Sequence, residues 1–174
     1  MKKHDGFTLV ELLITLVVVG IAVSLAVPGF ARFIREQQIT TQTNDFLTAL
    51  NIARSEALKR GGAVSVCASS DGATCSGNND WDAGWIVFSD EAGPTPGTLE
   101  GGSGESLLRV HPGLEGGNTL TADGGADFVR FLGDGLAGTR DDFTLTPATC
   151  EGNQIRSIDL AITGRADTSE VACP

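Results

Sequence analysis

An almost unbroken apolar run from Phe7 to Val27 constrains this chain more than any other feature of its sequence, and it contains one acidic residue, Glu11. A run of about twenty apolar residues is what a helix needs to cross the hydrocarbon core of a bilayer, so the run predicts a membrane span. A carboxylate one turn inside such a helix costs at least about 2 kcal/mol, and carboxylates at such positions are usually functional. The alternative is that Glu11 lies at the membrane interface and extends its charge into the headgroup region.

The residues on either side of the apolar run indicate that it is kept rather than removed as a secretory signal. The preceding hexapeptide carries Lys2 and Lys3, as expected for a cytoplasmic flank. After Val27 comes Pro-Gly-Phe instead of an Ala-x-Ala cleavage site. The apolar segment therefore belongs to the mature protein.

The order Gly-Phe-Thr-Leu-Val-Glu-Leu-Leu, which begins at Gly6 after the basic leader, closely resembles the N-terminus of type IV pilins and type II secretion pseudopilins. The resemblance implies that a prepilin peptidase cuts after Gly6, removes residues 1–6, and methylates the new N-terminal Phe7. The glutamate that this family uses for assembly falls on Glu11.

Charge and cysteine content bear on the rest of the chain. From Gly61 onward, five arginines stand against seventeen acidic residues, so generic electrostatic binding to nucleic acid is disfavoured.

Behind a membrane span with a cytoplasmic N-terminus, the four cysteines face an oxidising compartment, where an even count predicts two disulfides. Sequence proximity favours Cys67–Cys75 and leaves Cys150–Cys173 by elimination, and free buried thiols are the alternative. No pair has the spacing of a zinc site.

Beyond the apolar run, the helical pattern continues after a disturbance at Pro28 and Gly29, for which we expect a bend or a locally melted turn. We divide the chain into a transmembrane and polymerisation half of the helix at 7–30, an amphipathic half at 31–61 and a head at 62–174. A stripe at three- and four-residue intervals should face the head, and Gly61 supplies the C-terminal cap. The stripe consists of Ile39, Thr43, Phe46, Leu50, Ala53 and Ala57.

The head shows the two-residue period of short strands separated by turns, so we predict an α+β fold in which antiparallel sheets pack on the helix stripe. The predicted strands are 63–68, 84–89, 106–111, 118–121, 127–132, 142–146 and 154–163. We predict an exposed and mobile linker at 90–105.

Three stretches narrow the resemblance to the GspH/FimT group of minor pilins and pseudopilins. They are Ala-Arg-Ser-Glu-Ala at 53–57, Val-Ser-Val-Cys at 64–67 and Trp-Asp-Ala-Gly-Trp-Ile-Val-Phe-Ser-Asp at 81–90. The ending, a strand followed by Gly164-Arg165 and a terminal cysteine, is more similar to the FimT/FimU-like branch.

Some FimT proteins bind DNA through a Gly-Arg-x-Arg motif, but here Asp167 replaces the second arginine. A lone Arg165 in an acidic head predicts weak binding at most, and a turn glycine with a surface arginine is the favoured interpretation.

No residue set predicts catalysis. Of the two histidines, His4 leaves with the leader and His111 lies in a His-Pro-Gly sequence typical of a turn. Asp71, Asn78, Asn79 and Asp80 offer oxygen atoms but match no calcium-binding loop, and adjacent acids such as Asp141 and Asp142 fit a solvated loop. We therefore expect no enzyme activity, no cofactor and no metal.

The resemblance implies a minor type IV pilin, held in the inner membrane with its head in the periplasm and then incorporated into a fibre. Its expected partners are other minor pilins, the major pilin, prepilin peptidase and the inner-membrane assembly platform, with DNA disfavoured. The alternatives are a minor pseudopilin of a type II secretion system and a DNA-binding pilin for natural transformation.

Overall fold

The computed structural model describes residues 7–90, 95–100 and 104–174. Within these residues, one helix, α1, runs over Leu9–Arg60 and is followed by nine strands and a short 3₁₀-helix, Trp81–Ala83. The strands are β1 (Val64–Ala68), β2 (Gly84–Ser89), β3 (Leu107–Pro112), β4 (Thr119–Ala122), β5 (Phe128–Phe131), β6 (Ala137–Thr139), β7 (Phe143–Thr146), β8 (Ile155–Leu160) and β9 (Ala166–Val171).

The chain divides into two compact units, Met1–Gln38 and Ile39–Pro174. Helix α1 is continuous through Pro28 and Gly29, so the melted turn predicted there is wrong, while a bend at that point stays a prediction. The missing N–H of Pro28 removes only one of many hydrogen bonds, and a helix of this length can tolerate that loss. The helix ends at Arg60, and Gly61 follows in the left-handed conformation with φ of 70°, as the sequence predicted.

The second unit contains two antiparallel sheets. The first has the strand order β3-β2-β1-β5-β6 and the second has the order β4-β7-β8-β9. Every residue of β1 and β2 is buried, because these central strands are covered on both faces. The α+β fold with antiparallel sheets packed on the helix is confirmed.

The core lies where the helix stripe meets the sheets. All six residues of the predicted stripe are buried. At its centre the Phe46 ring makes edge contacts with Trp81, Trp85 and Phe143 at centroid distances of 5.6, 5.2 and 4.7 Å. Gln42, which the helical pattern placed off the stripe, is also buried, because its side chain donates to the Glu115 carbonyl and accepts from Asn118 Nδ2.

A second, smaller cluster lies on the other face of the five-stranded sheet, where Cys67 packs with Ile86 and Phe88. The structure contains the disulfide Cys67–Cys75, which chain proximity predicts, and the disulfide Cys150–Cys173, which follows by elimination. One disulfide closes the loop after β1, and the other ties the end of the chain, just past β9, to the segment that precedes β8.

Candidate functional site

The apolar first half of α1 presents its side chains to the surroundings instead of to the protein. Its large apolar residues between Leu9 and Val23 are all more than half exposed, and Leu9 is 78% exposed. The segment is long and apolar enough to cross a membrane. Water does not stabilise an exposed apolar surface of this extent, so lipid or other apolar helices must cover it.

Glu11 lies at the beginning of this surface, in a hydrogen-bonded arrangement with Thr8. The Glu11 N–H donates to Thr8 Oγ1, and the Thr8 N–H and hydroxyl both donate to Glu11 Oε2, each at 3.2 Å. Thr8 directly precedes the first helical residue, Leu9, so this is a capping box in which each side chain satisfies a free N–H of the first turn. The Thr-x-x-Glu spacing could have revealed it, but sequence reasoning considered only the cost of the charge and the resemblance to pilins.

The capping box gives Glu11 a partner within its own chain. A carboxylate in the first helical turn is also stabilised by the positive end of the helix dipole. Glu11 therefore lies where it can accept further donors from a neighbouring chain while its own helix holds it in place. Phe7 immediately precedes the box and is 89% exposed, whereas Gly6 lies outside the described residues.

Arg165 lies at the β8–β9 turn, on the surface of the head. Its side chain is 73% exposed, and its Nη2 is 3.2 Å from Asp167 Oδ1. The residue that replaces the second arginine of the motif therefore partly neutralises the first. Gly164 adopts φ of 74°, and a Cβ atom there would lie 2.3 Å from the Gly135 carbonyl oxygen. This geometry accounts for the glycine by close packing at a turn.

The other polar residues singled out in the sequence hold loops together. Asp71 accepts from the N–H groups of Thr74 and Ala73, both at 2.8 Å, and these bonds hold the pKa of its carboxyl far below its usual range. Asn78 donates to Asp80, and Asn79 bonds the backbone of Ala122. Within residues 7–90, 95–100 and 104–174, no three His, Cys, Asp or Glu side chains are grouped as metal ligands would be.

His111, the last residue of the predicted strand 106–111 and the first of a His-Pro-Gly sequence typical of a turn, lies inside β3. Its ring stacks on Trp85 at a centroid distance of 4.0 Å, and its Nε2 is 3.5 Å from Asp45 Oδ2. These residues line a shallow cleft of about 230 Å³ beside α1. The histidine therefore packs against the edge of the core.

The prediction that the exposed linker begins at Asp90 is wrong, because Asp90, which directly follows β2, is the most deeply buried charge of the described head. Its Oδ2 accepts from Ser65 Oγ and from the Gly97 N–H, and it lies 2.9 Å from Arg130 Nε. Its side chain is 1% exposed. An isolated aspartate after a strand carries no signal of burial, because the arginine that compensates it comes forty residues later.

Two family models match the chain. The model described as type II transport protein GspH matches residues 42–164, and the prokaryotic N-terminal methylation motif matches residues 1–27. Two Pseudomonas aeruginosa proteins described as fimbrial proteins are each 28% identical over 133 residues, which cover 76% of this chain and 71% of theirs.

The fold is similar to crystal structures of the P. aeruginosa type IV minor pilin FimU. One crystal form gives a TM-score of 0.59 at 21% identity over 79% of this chain and 92% of the other. A second form gives 0.54 at 22% identity over 75% and 91%. At these identities the likeness concerns the fold.

Proposed function

The chain belongs to the GspH family, whose members are pilin-type structural proteins and not enzymes, and from this premise we propose that it is a minor type IV pilin that helps to prime fibre assembly. Prepilin peptidase cuts after Gly6 and methylates Phe7. Before assembly, the subunit resides in the inner membrane with its head in the periplasm. The methylation motif at residues 1–27 supports this processing.

The observation that carries the proposal is the pairing of an exposed apolar helix with a carboxylate at its first turn. The apolar surface anchors the subunit in lipid before assembly and packs among the helices of other subunits afterwards. In both places the medium is apolar, so Glu11 gains most when a cation meets it. The methylated N-terminal amine of a neighbouring subunit supplies that cation, and the platform passes the subunit into the fibre when the two groups coincide.

This pairing sets the axial register between subunits. A buried ammonium and a buried carboxylate each reduce the other's desolvation cost, so a subunit that is displaced along the fibre leaves two unpaired charges. The capping box keeps the carboxylate at a fixed place on the first turn, which makes the register sharp. As a minor pilin, the subunit joins other minor pilins near the tip, and the major pilin follows.

The main alternative is a minor pseudopilin of a type II secretion system, and the description of the matching family favours it. The fimbrial proteins and the FimU fold favour the pilus. Deletion of the gene separates the two: we expect loss of surface fibres and twitching with normal enzyme secretion. Loss of secretion with normal fibres would assign the chain to the secretion system, and complementation in trans is the control.

DNA binding is the second alternative, and the Arg165–Asp167 pair argues against it. We expect no shift of duplex DNA by the purified chain at moderate salt. A shift that Arg165→Ala abolishes would contradict this expectation.

A further inference from the structure

Among the described residues, the two sheets of the head have four edge strands, and three of them are shielded against another strand. β3 carries Pro112 and a register irregularity opposite Val87 and Phe88. β4 has both backbone groups of Ala122 bonded by the Asn79 side chain. β6 has three residues, and the Ala137 N–H already donates to Ile162. These are the usual ways in which proteins protect exposed edges.

The fourth edge, β9, has none of these protections. Its six residues pair with β8 in unbroken register, and the strand contains no proline. Five of the six are exposed, and no strand of the described chain pairs with its outer side. The disulfide Cys150–Cys173 and the bond from the Cys173 N–H to the Gly152 carbonyl fix the end of the chain beyond it. β9 is therefore a pre-formed, open edge.

The backbone groups that point outward from β9 can be identified from the turn. The Ala161 N–H donates to the Arg165 carbonyl, so the backbone of Arg165 faces β8. By the alternation of an antiparallel ladder, Asp167, Ser169 and Val171 also face β8. The N–H and carbonyl groups of Ala166, Thr168 and Glu170 point away from the sheet, where a further strand would bind them.

The charge on this edge selects the chemistry of a partner. Asp159 and Asp167 lie directly opposite each other in the β8–β9 ladder, and like charges at such positions are destabilising. Arg165 lies on one side of Asp167 and compensates part of this charge. A cation on a strand added outside β9, opposite Asp167, would compensate the rest. A second copy of β9 would bring no cation to this position, because its charged residues are the carboxylates Asp167 and Glu170.

We propose that the open edge of β9 accepts an extended segment of a neighbouring pilin-type subunit, which adds as a strand and places a lysine or arginine opposite Asp167. The partner class rests on the proposed function. Main-chain hydrogen bonds from Thr168 and its outward-facing neighbours supply affinity, and the carboxylate supplies specificity. Because the disulfide holds the strand in place beforehand, little conformational entropy is lost on docking.

The test uses the full chain in its own cells, measured as its amount in sheared fibres relative to the membrane fraction. Thr168→Pro removes an outward N–H and leaves the ladder to β8 intact, so the head stays folded while strand addition is blocked. We expect incorporation to fall by about tenfold or more, as loss of a hydrogen bond and a steric clash imply. Thr168→Val keeps the backbone donor and is the matched control, with incorporation unchanged.

A second variant keeps the proposal testable if Thr168→Pro disturbs the strand. Asp167→Lys retains every backbone donor and places a cation against the partner's cation, so incorporation should again fall. Normal incorporation of either variant, with wild-type melting behaviour, overturns the proposal while the pilin function stands.

Absence of the wild-type chain from fibres would instead overturn the proposed function and this inference with it. Dimerisation of the purified wild-type chain in detergent that Thr168→Pro abolishes would identify a second copy as the occupant and contradict the assignment to a basic partner.

Discussion

At the scale of single residues, two carboxylates of this chain meet opposite environments. Glu11 lies on an exposed helix and relies on Thr8, whereas Asp90 is enclosed by the head and relies on Arg130 and Ser65. The first is exposed, so a partner from outside can reach it. The second has its partners inside the fold, and its contribution is to stability.

Removal of the Asp90 partner should therefore be costly. Arg130→Met leaves a buried carboxylate without its cation, and we expect the free energy of unfolding to fall by about 3 kcal/mol. Chemical denaturation of the full chain in detergent measures this loss. Arg109→Met is the matched control, because Arg109 is exposed and its side chain donates to the carbonyl of its own neighbour Leu108. Its effect should therefore stay within about 0.5 kcal/mol. Equal effects of the two variants would contradict the role given to Asp90.

The lowered pKa of Asp71 predicts how the stability of the folded chain depends on pH. Bonds from Thr74 and Ala73 lower the pKa of its carboxyl in the folded chain, so its stabilising effect is complete above the unfolded value of about 4. That effect shrinks below pH of about 4 and disappears as the pH falls through the folded pKa. The difference in melting temperature between wild type and Asp71→Asn should be the same at pH 7 and pH 5 and smaller at pH 3. A difference that grows on acidification would reverse the sign and contradict the account.

At the scale of elements, the strongest periodic signals predicted the structure well. The helix stripe, the end of α1 and the central strands follow from apolar periodicity and a glycine cap, and the packing around Phe46 agrees with them. Two strands were missed, and the reasons differ. β6 has three residues, too few to show a period. β9 lacks apolar alternation because five of its six side chains are exposed.

Long-range contacts were beyond sequence reasoning. The Asp90–Arg130 pair and the Gln42–Asn118 bond join residues far apart in the chain, and no local pattern marks them. The candidate site was predicted at Glu11 from the cost of its charge and from the resemblance to pilins, but the Thr8 cap was overlooked. Assignments that depend on local spacing were therefore accessible, while those that depend on the approach of distant segments were not.

The turn that contains Gly164 packs closely against the backbone of Gly135, and this contact should matter for stability. Gly164→Ala forces a left-handed residue and a clash with the Gly135 carbonyl, so we expect a loss of about 2 kcal/mol or more. Gly61→Ala is the matched control, since Gly61 has φ of 70° but nothing within 4 Å of the added Cβ, and about 1 kcal/mol is expected. Thermal denaturation of both full-length variants provides the comparison, and a smaller effect at Gly164 would rule out the close approach.

At the scale of the whole molecule, the chain combines a head that buries its own core with an apolar helix that does not. The sheets of the head share one core with the second half of α1, and two disulfides tie the chain of the head together. The apolar half of α1 needs either lipid or other helices at every stage. We therefore interpret its residence in the membrane as one stage of a path into a fibre, with Glu11 as the residue that makes assembly in register favourable.

The most direct test of this claim is the amount of Glu11 and Thr8 variants in sheared fibres relative to the membrane fraction. Glu11→Gln keeps the capping hydrogen bond but loses the charge, whereas Thr8→Ala loses the hydroxyl cap but keeps the charge. We predict normal membrane insertion for both, a fall in incorporation of about tenfold or more for Glu11→Gln as for Glu11→Ala, and a fall of at most about threefold for Thr8→Ala. Incorporation of Glu11→Gln at the wild-type level would contradict the claim that the charge of Glu11 sets the register.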